Sequence, residues 1–234
     1  MMVKKAGRET ALSEGWCNLM GLKVNEIFYS IQGESSFAGL PCVFIRLTGC
    51  NLRCTYCDTR YAYEQGRNMP LRAVVDWVQS YRCPLVEVTG GEPLIQEDVP
   101  ELVCRLVDLG FTVLLETNGS QDIRRIDRRC VRIVDVKCPS SGESAKNDLE
   151  NLYRLTDNDE LKFVIGDAQD YMYAKEMVNA LPTSYSKKGT IHFSPVFDRM
   201  APDELAKWIL KDRLNVRLHL QLHKLIWPSA ERGV

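Results

Sequence analysis

Gly49-Cys50-Asn51-Leu52-Arg53-Cys54-Thr55-Tyr56-Cys57-Asp58-Thr59 places three cysteines at C-x3-C-x2-C spacing on one short loop. The loop follows Cys42 to Leu47 (CVFIRL), an apolar run that reads as a buried strand. Three thiolates on one loop can hold three corners of a metal cluster and leave a fourth corner open. A [4Fe–4S] cube takes four ligands, so a three-cysteine loop would leave one iron to a small molecule. A structural zinc site is the competing reading, with Cys42 or Cys138 as a fourth ligand, although such sites usually draw on two separated pairs. Cysteines buried side by side by coincidence are the third reading. Under the cluster reading, Tyr56 inside the loop would shield the metal from water.

Outward from this loop, apolar strand patterns alternate with helical ones. Val24 to Ile31, Leu85 to Thr89, Thr112 to Thr117, Val131 to Val136, Leu161 to Ile165, Ile191 to Ser194 and Val216 to Leu222 read as strands. Helices are expected from Pro70, from Asp98 with Glu101 as a capping box, from Gly166-Asp167, and over Pro202 to Asp212. The interleaving argues for βα units and a mostly parallel sheet. Polar motifs follow the strands: the cysteine loop, TGGEP at 89–93, ETNG at 116–119, KCPSS at 137–141 and HFSP at 192–195. That is the edge where parallel α/β folds place their sites. A closed eight-fold barrel needs more chain, so the expected fold is α/β: an incomplete, TIM-like barrel of about six mostly parallel strands. Residues 1–23 read as an N-terminal extension and 24–234 as one domain.

The 234 residues carry a net charge of −1, so no global field favours nucleic acid or an anionic membrane. No apolar run reaches the roughly 18 residues of a membrane span. Lys4, Lys5 and Arg8 are followed by no apolar stretch of the signal-peptide kind. Nine cysteines without an export signal suggest reduced thiols or a metal, hence a cytoplasmic protein.

The cysteine loop after an apolar strand, with Gly90-Gly91-Glu92-Pro93 closing a later strand, resembles the radical S-adenosylmethionine (SAM) superfamily. In that superfamily SAM chelates the open iron, and the reduced cluster splits it to a hydrogen-abstracting adenosyl radical. By itself TGGEP offers exposed backbone groups to a ligand amine and Glu92 as a countercharge; a plain strand-to-helix turn is the blander reading.

Ser30-Ile31-Gln32-Gly33-Glu34, Phe44 to Cys50, Cys57-Asp58-Thr59, Glu116 to Gly119, Asp135 to Ser140 and His223-Lys224 further resemble the 7-carboxy-7-deazaguanine synthase family. The resemblance runs from about Val24 onward. It implies a lyase converting 6-carboxy-5,6,7,8-tetrahydropterin to 7-carboxy-7-deazaguanine and ammonia on the route to queuosine. It implies a homodimeric partial barrel with a [4Fe–4S] cluster on Cys50, Cys54 and Cys57, SAM, Mg2+ reached by Thr59, and a reductant such as flavodoxin or ferredoxin. Ile31, Gln32, Gly33, Arg46, Thr89 and His223 would meet the pterin, Arg46 by a two-point grip on its carboxylate. Gly91, Glu92, Cys138, Pro139, Ser140 and Ser194 would meet SAM, and Glu116 would act as acid–base or positioning group. The tail from Trp227 to Val234 departs from the family pattern, which puts a substrate contact by the C-terminal segment in doubt. A glycyl-radical-enzyme activating enzyme and a non-catalytic metal-bearing module are the rival readings.

Overall fold

The computed structural model describes residues 21–186, 189–230 and 232–234. The first 20 residues of the expected extension lie outside this set. Residues 21–23 do not belong to an extension, because they begin the first strand.

The strands are β1 (Gly21–Ile31), β2 (Pro41–Leu47), β3 (Arg67–Pro70), β4 (Leu85–Gly90), β5 (Thr112–Thr117), β6 (Val131–Asp135), β7 (Glu160–Ile165), β8 (Thr190–Pro195) and β9 (Arg217–Leu218). They form one sheet in the order β3-β1-β2-β4-β5-β6-β7-β8-β9. From β2 to β9 every neighbouring pair is parallel, while β1 runs antiparallel to both β2 and β3. The ends β3 and β9 do not pair with each other, so the sheet is an open barrel segment. Helices α1 (Leu71–Ser80), α2 (Val99–Asp108), α3 (Asn151–Arg154), α4 (Ala168–Ala180), α5 (Thr183–Ser186), α6 (Pro202–Asp212) and α7 (Leu222–Ile226) connect or follow the strands.

Central strands are buried on both faces, as parallel strands covered by helices must be. Val86, Val88, Leu114, Leu115, Leu161 and Phe163 are almost wholly excluded from solvent. In α1, Leu71, Val74, Val75 and Val78 make the core-facing stripe that their spacing predicts. Among the described residues, Arg132 on β6 is the largest fully buried side chain. It survives there because Asp159 meets it with two hydrogen bonds and the Ile123 carbonyl takes a third.

Three local expectations change. Asp98 sits before α2, but its carboxylate makes no cap there and accepts from Gly21 N at 2.7 Å, tying α2 to the start of β1. Strand β3 was not expected; its only buried side chain is Met69, so it carries no apolar pattern. The alternating run 216–222 pairs with β8 only at Arg217 and Leu218. The chain then turns, Leu222 N donates to Gly33 O at 3.0 Å, and α7 begins.

Candidate active site

Strand alternation decides which side chains face the barrel axis. Phe44 and Arg46 on β2, Glu87 and Thr89 on β4, Glu116 on β5, Asp135 on β6, and Lys162 and Val164 on β7 line one cavity of about 470 Å³. The loop after β1 adds Ile31, Gln32, Gly33 and Glu34. The loop after β2 adds Cys50, Cys54, Tyr56, Cys57, Asp58 and Thr59, and α7 adds His223 and Lys224. Val234 also reaches this wall.

The three cysteines stand half-buried on one side of the cavity. Leu52 N donates to Cys50 Sγ at 3.4 Å, and Asn118 Nδ2 does so at 3.8 Å. Among the described residues, no three His, Cys, Asp or Glu side chains converge as a single-ion site requires. Three thiols spread on one wall suit a multi-iron cluster, and donors to sulfur tune such a cluster. Cys138 does not complete a fourth corner: it is fully buried in the core, with its thiol near the Val136 carbonyl. Beside the loop, the Tyr56 hydroxyl and Asp135 Oδ1 are buried without partners among the described residues. Both residues line the cavity, so a polar ligand such as SAM fits there. Thr59 Oγ1 lies 2.9 Å from Asp58 Oδ1, and Lys224 Nζ lies 2.7 Å from Asp58 Oδ2. An oxygen pair on the cavity wall is the donor type that Mg2+ takes.

The same cavity holds a charged network, and motif reading missed its Glu87 and Lys162. Lys162 donates to Glu34 and, at 2.7 Å, to Glu116. Thr89 Oγ1 lies 3.4 Å from Glu116 Oε2. Burial works to raise the Glu34 carboxyl, but Lys162 and the Gln221 amide hold it well below the usual carboxylate range. Glu87 is pushed the other way, above the usual carboxylate range, by burial and by the charges of Glu116 and Glu34. The Gln32 amide donates to Glu87, while its carbonyl oxygen accepts from Glu34 N at 2.9 Å. Gln32 is therefore fixed in one orientation, with both ends of its amide engaged. The missed signal was a charged residue inside an apolar strand: Glu87 in LVEVT and Lys162 in LKFVI.

Five of the residues expected to meet SAM are not part of this cavity's lining. Glu92 is fully buried and accepts from Leu94 N, Thr117 Oγ1 and Asn118 N. Burial raises it to about 7 against those three donors. It braces the loop after β4 to the loop after β5, with both of its oxygens already accepting hydrogen bonds. Cys138, Pro139 and Ser140 buttress the cysteine loop: Thr55 Oγ1 donates to Ser140 O at 2.8 Å, and Ser140 Oγ bonds Asp170. Ser194 is buried on β8 with its hydroxyl 3.4 Å from His219 Nδ1. Gly91 does line the cavity, pressed against the Gly49 carbonyl and the Cys50 side chain.

Comparison with known proteins places this geometry. Residues 44–136 match the Radical SAM superfamily. A 7-carboxy-7-deazaguanine synthase of Koribacter versatilis is 44% identical over 91% of this chain and 100% of its own. One from Chlorobaculum tepidum is 46% identical over 91% of this chain and 97% of its own. Among solved structures, QueE from Escherichia coli matches with a TM-score of 0.68 at 23% identity, covering 92% of this chain and 99% of that one.

Proposed function

This chain belongs to the 7-carboxy-7-deazaguanine synthase family of radical SAM enzymes, and we propose that its cavity converts 6-carboxy-5,6,7,8-tetrahydropterin to 7-carboxy-7-deazaguanine and ammonia. The observation that carries this reading is the meeting of three thiols with Arg46, Gln32, Thr89 and His223 around one cavity. That constellation suits a small anionic heterocycle rather than a protein chain. Held by Cys50, Cys54 and Cys57, a [4Fe–4S] cluster with SAM would supply hydrogen-abstracting radical chemistry to the pterin.

The chain's own residues do the rest. Cys50, Cys54 and Cys57 hold the cluster, and Gly91 lets the backbone approach SAM closely. Ile31, Gln32, Gly33, Thr89 and His223 surround the pterin, with the Gln32 amide oriented by Glu87 before substrate arrives. Arg46 takes the substrate carboxylate. Glu116, which shares Lys162 and keeps a quarter of its side chain exposed, moves a proton as the ring contracts and ammonia leaves. Thr59, with Asp58 beside it, would hold Mg2+. Glu92 and the 138–140 turn act from outside the lining, fixing the loops that carry these groups.

A reducing, cytoplasmic setting suits the free thiols and the cluster. A small electron-transfer protein such as flavodoxin or ferredoxin would deliver the electron, and the working unit is a homodimer. Anaerobically reconstituted protein given SAM, a reductant and carboxytetrahydropterin is expected to release 7-carboxy-7-deazaguanine and ammonia. Cleavage of SAM with unchanged pterin would contradict the reading.

A further inference from the structure

Arg46 does not stand alone at the cavity wall. Its cross-strand partner in the β1–β2 register is Glu26. Arg46 Nε donates to Glu26 Oε1 at 2.8 Å, and the Tyr61 hydroxyl donates to the same oxygen at 2.9 Å. The guanidinium carbon lies 5.6 Å from the centre of the Phe28 ring and 5.9 Å from that of Tyr61. Arg46 and Glu26 keep only 14% and 19% of their side chains exposed. Among the described residues, neither Nη of Arg46 has a protein partner.

We propose that Glu26 is a positioning residue, held in turn by Tyr61, that presents the two Nη groups of Arg46 as a fixed fork and so sets the enzyme's preference for a carboxylated pterin. Arg46 lines the cavity; Glu26 and Tyr61 do not, so they act only through it. A guanidinium has five donors in a rigid plane. Tying Nε on one edge fixes that plane and leaves the Nη1–Nη2 end for two-point contact with a carboxylate. The aromatic rings restrict tilting of the plane. Without Glu26, the side chain has rotamers in which the fork faces away, and substrate binding must bear the cost of ordering it. The alternative role for Glu26 is a cross-strand ion pair that merely stabilises the hairpin.

This inference rests on the reading that Arg46 binds the substrate carboxylate, and one experiment separates the two. Equilibrium dissociation constants are measured for 6-carboxytetrahydropterin and for its 6-carboxamide, on anaerobically reconstituted protein with SAM, alongside thermal stability. Wild-type protein is expected to prefer the acid. Glu26→Ala is expected to weaken the acid by roughly tenfold to a hundredfold, the range of a hydrogen bond to a charged group, and to leave the carboxamide within about threefold. Glu26→Gln keeps the accepting oxygen and restores acid binding to within about threefold of wild type. Tyr61→Phe gives a smaller loss confined to the acid. Equal weakening of both ligands in Glu26→Ala, or unchanged or tighter acid binding, overturns the positioning role. Wild-type protein that binds both ligands alike overturns the Arg46 reading itself, and the inference with it.

Discussion

At the scale of single residues, the cavity is a balance of buried charge. Lys162 answers two carboxylates, Glu34 and Glu116, with only 8% of its side chain exposed. Removing one partner of a buried pair leaves uncompensated charge. Lys162→Met is therefore expected to cost about 3–5 kcal/mol in denaturant unfolding, and to abolish product formation while the cluster still assembles. Cys50→Ala is expected to lose the absorption near 400 nm and most bound iron. His219 offers a pH test. Burial pushes it from 6.5 down to about 4, so between those values the unfolded chain binds the extra proton. Its contribution is present above pH 6.5 and is lost as pH falls to 4, at most about 3 kcal/mol at about 1.4 per unit. His219→Gln is expected to flatten the stability profile across that window, read from urea midpoints at pH 4 to 7. The cysteines were legible from their spacing, and Arg46 and Gln32 only through the family resemblance. Glu87 and Lys162 were not, because strand alternation marks a face as buried without saying that its far end opens on a cavity.

At the scale of elements, close backbone approaches carry the site. A Cβ on Gly91 would collide with the Gly49 carbonyl and lie 2.8 Å from Cys50 Cβ. Gly91→Ala is expected to displace the cysteine loop, cutting iron content severalfold while circular dichroism stays native. A Cβ on Gly33 would lie 2.5 Å from His223 Nδ1, so the turn after β1 admits α7 only because it has no side chain. The sequence alternation at 216–222 misled because burial there does not follow it: apolar Leu218 is exposed and polar His219 is buried. Asp98 misled similarly: an acid before a helix reads as a cap, yet its stronger partner is Gly21 N. Asp98→Ala should therefore speed amide exchange at residues 21–24 and leave α2 protected, at a cost of about 1 kcal/mol.

At the scale of the whole molecule, the sheet is open between β3 and β9, and the cavity sits at the carboxyl edge of its parallel strands. That architecture was legible from the order of apolar runs and the polar motifs behind them. The closing segments were not. Strand β3 lacks an apolar pattern, and residues 219–226 are placed by contacts with Gly33 and Asp58 from the far end of the chain. The C-terminal tail also returns to the site: Arg232 stacks over Tyr61 at 4.4 Å, and Val234 reaches the cavity wall. The central claim is that one segment, Arg46 to Thr59, runs from substrate carboxylate to cluster. An anaerobic crystal structure with SAM and 6-carboxytetrahydropterin measures it directly. The expected result is a cluster on Cys50, Cys54 and Cys57 alone, with the pterin carboxylate on the Nη groups of Arg46. A fourth protein thiolate on the cluster, or a carboxylate held by Lys162 with Arg46 still facing only Glu26, would contradict it.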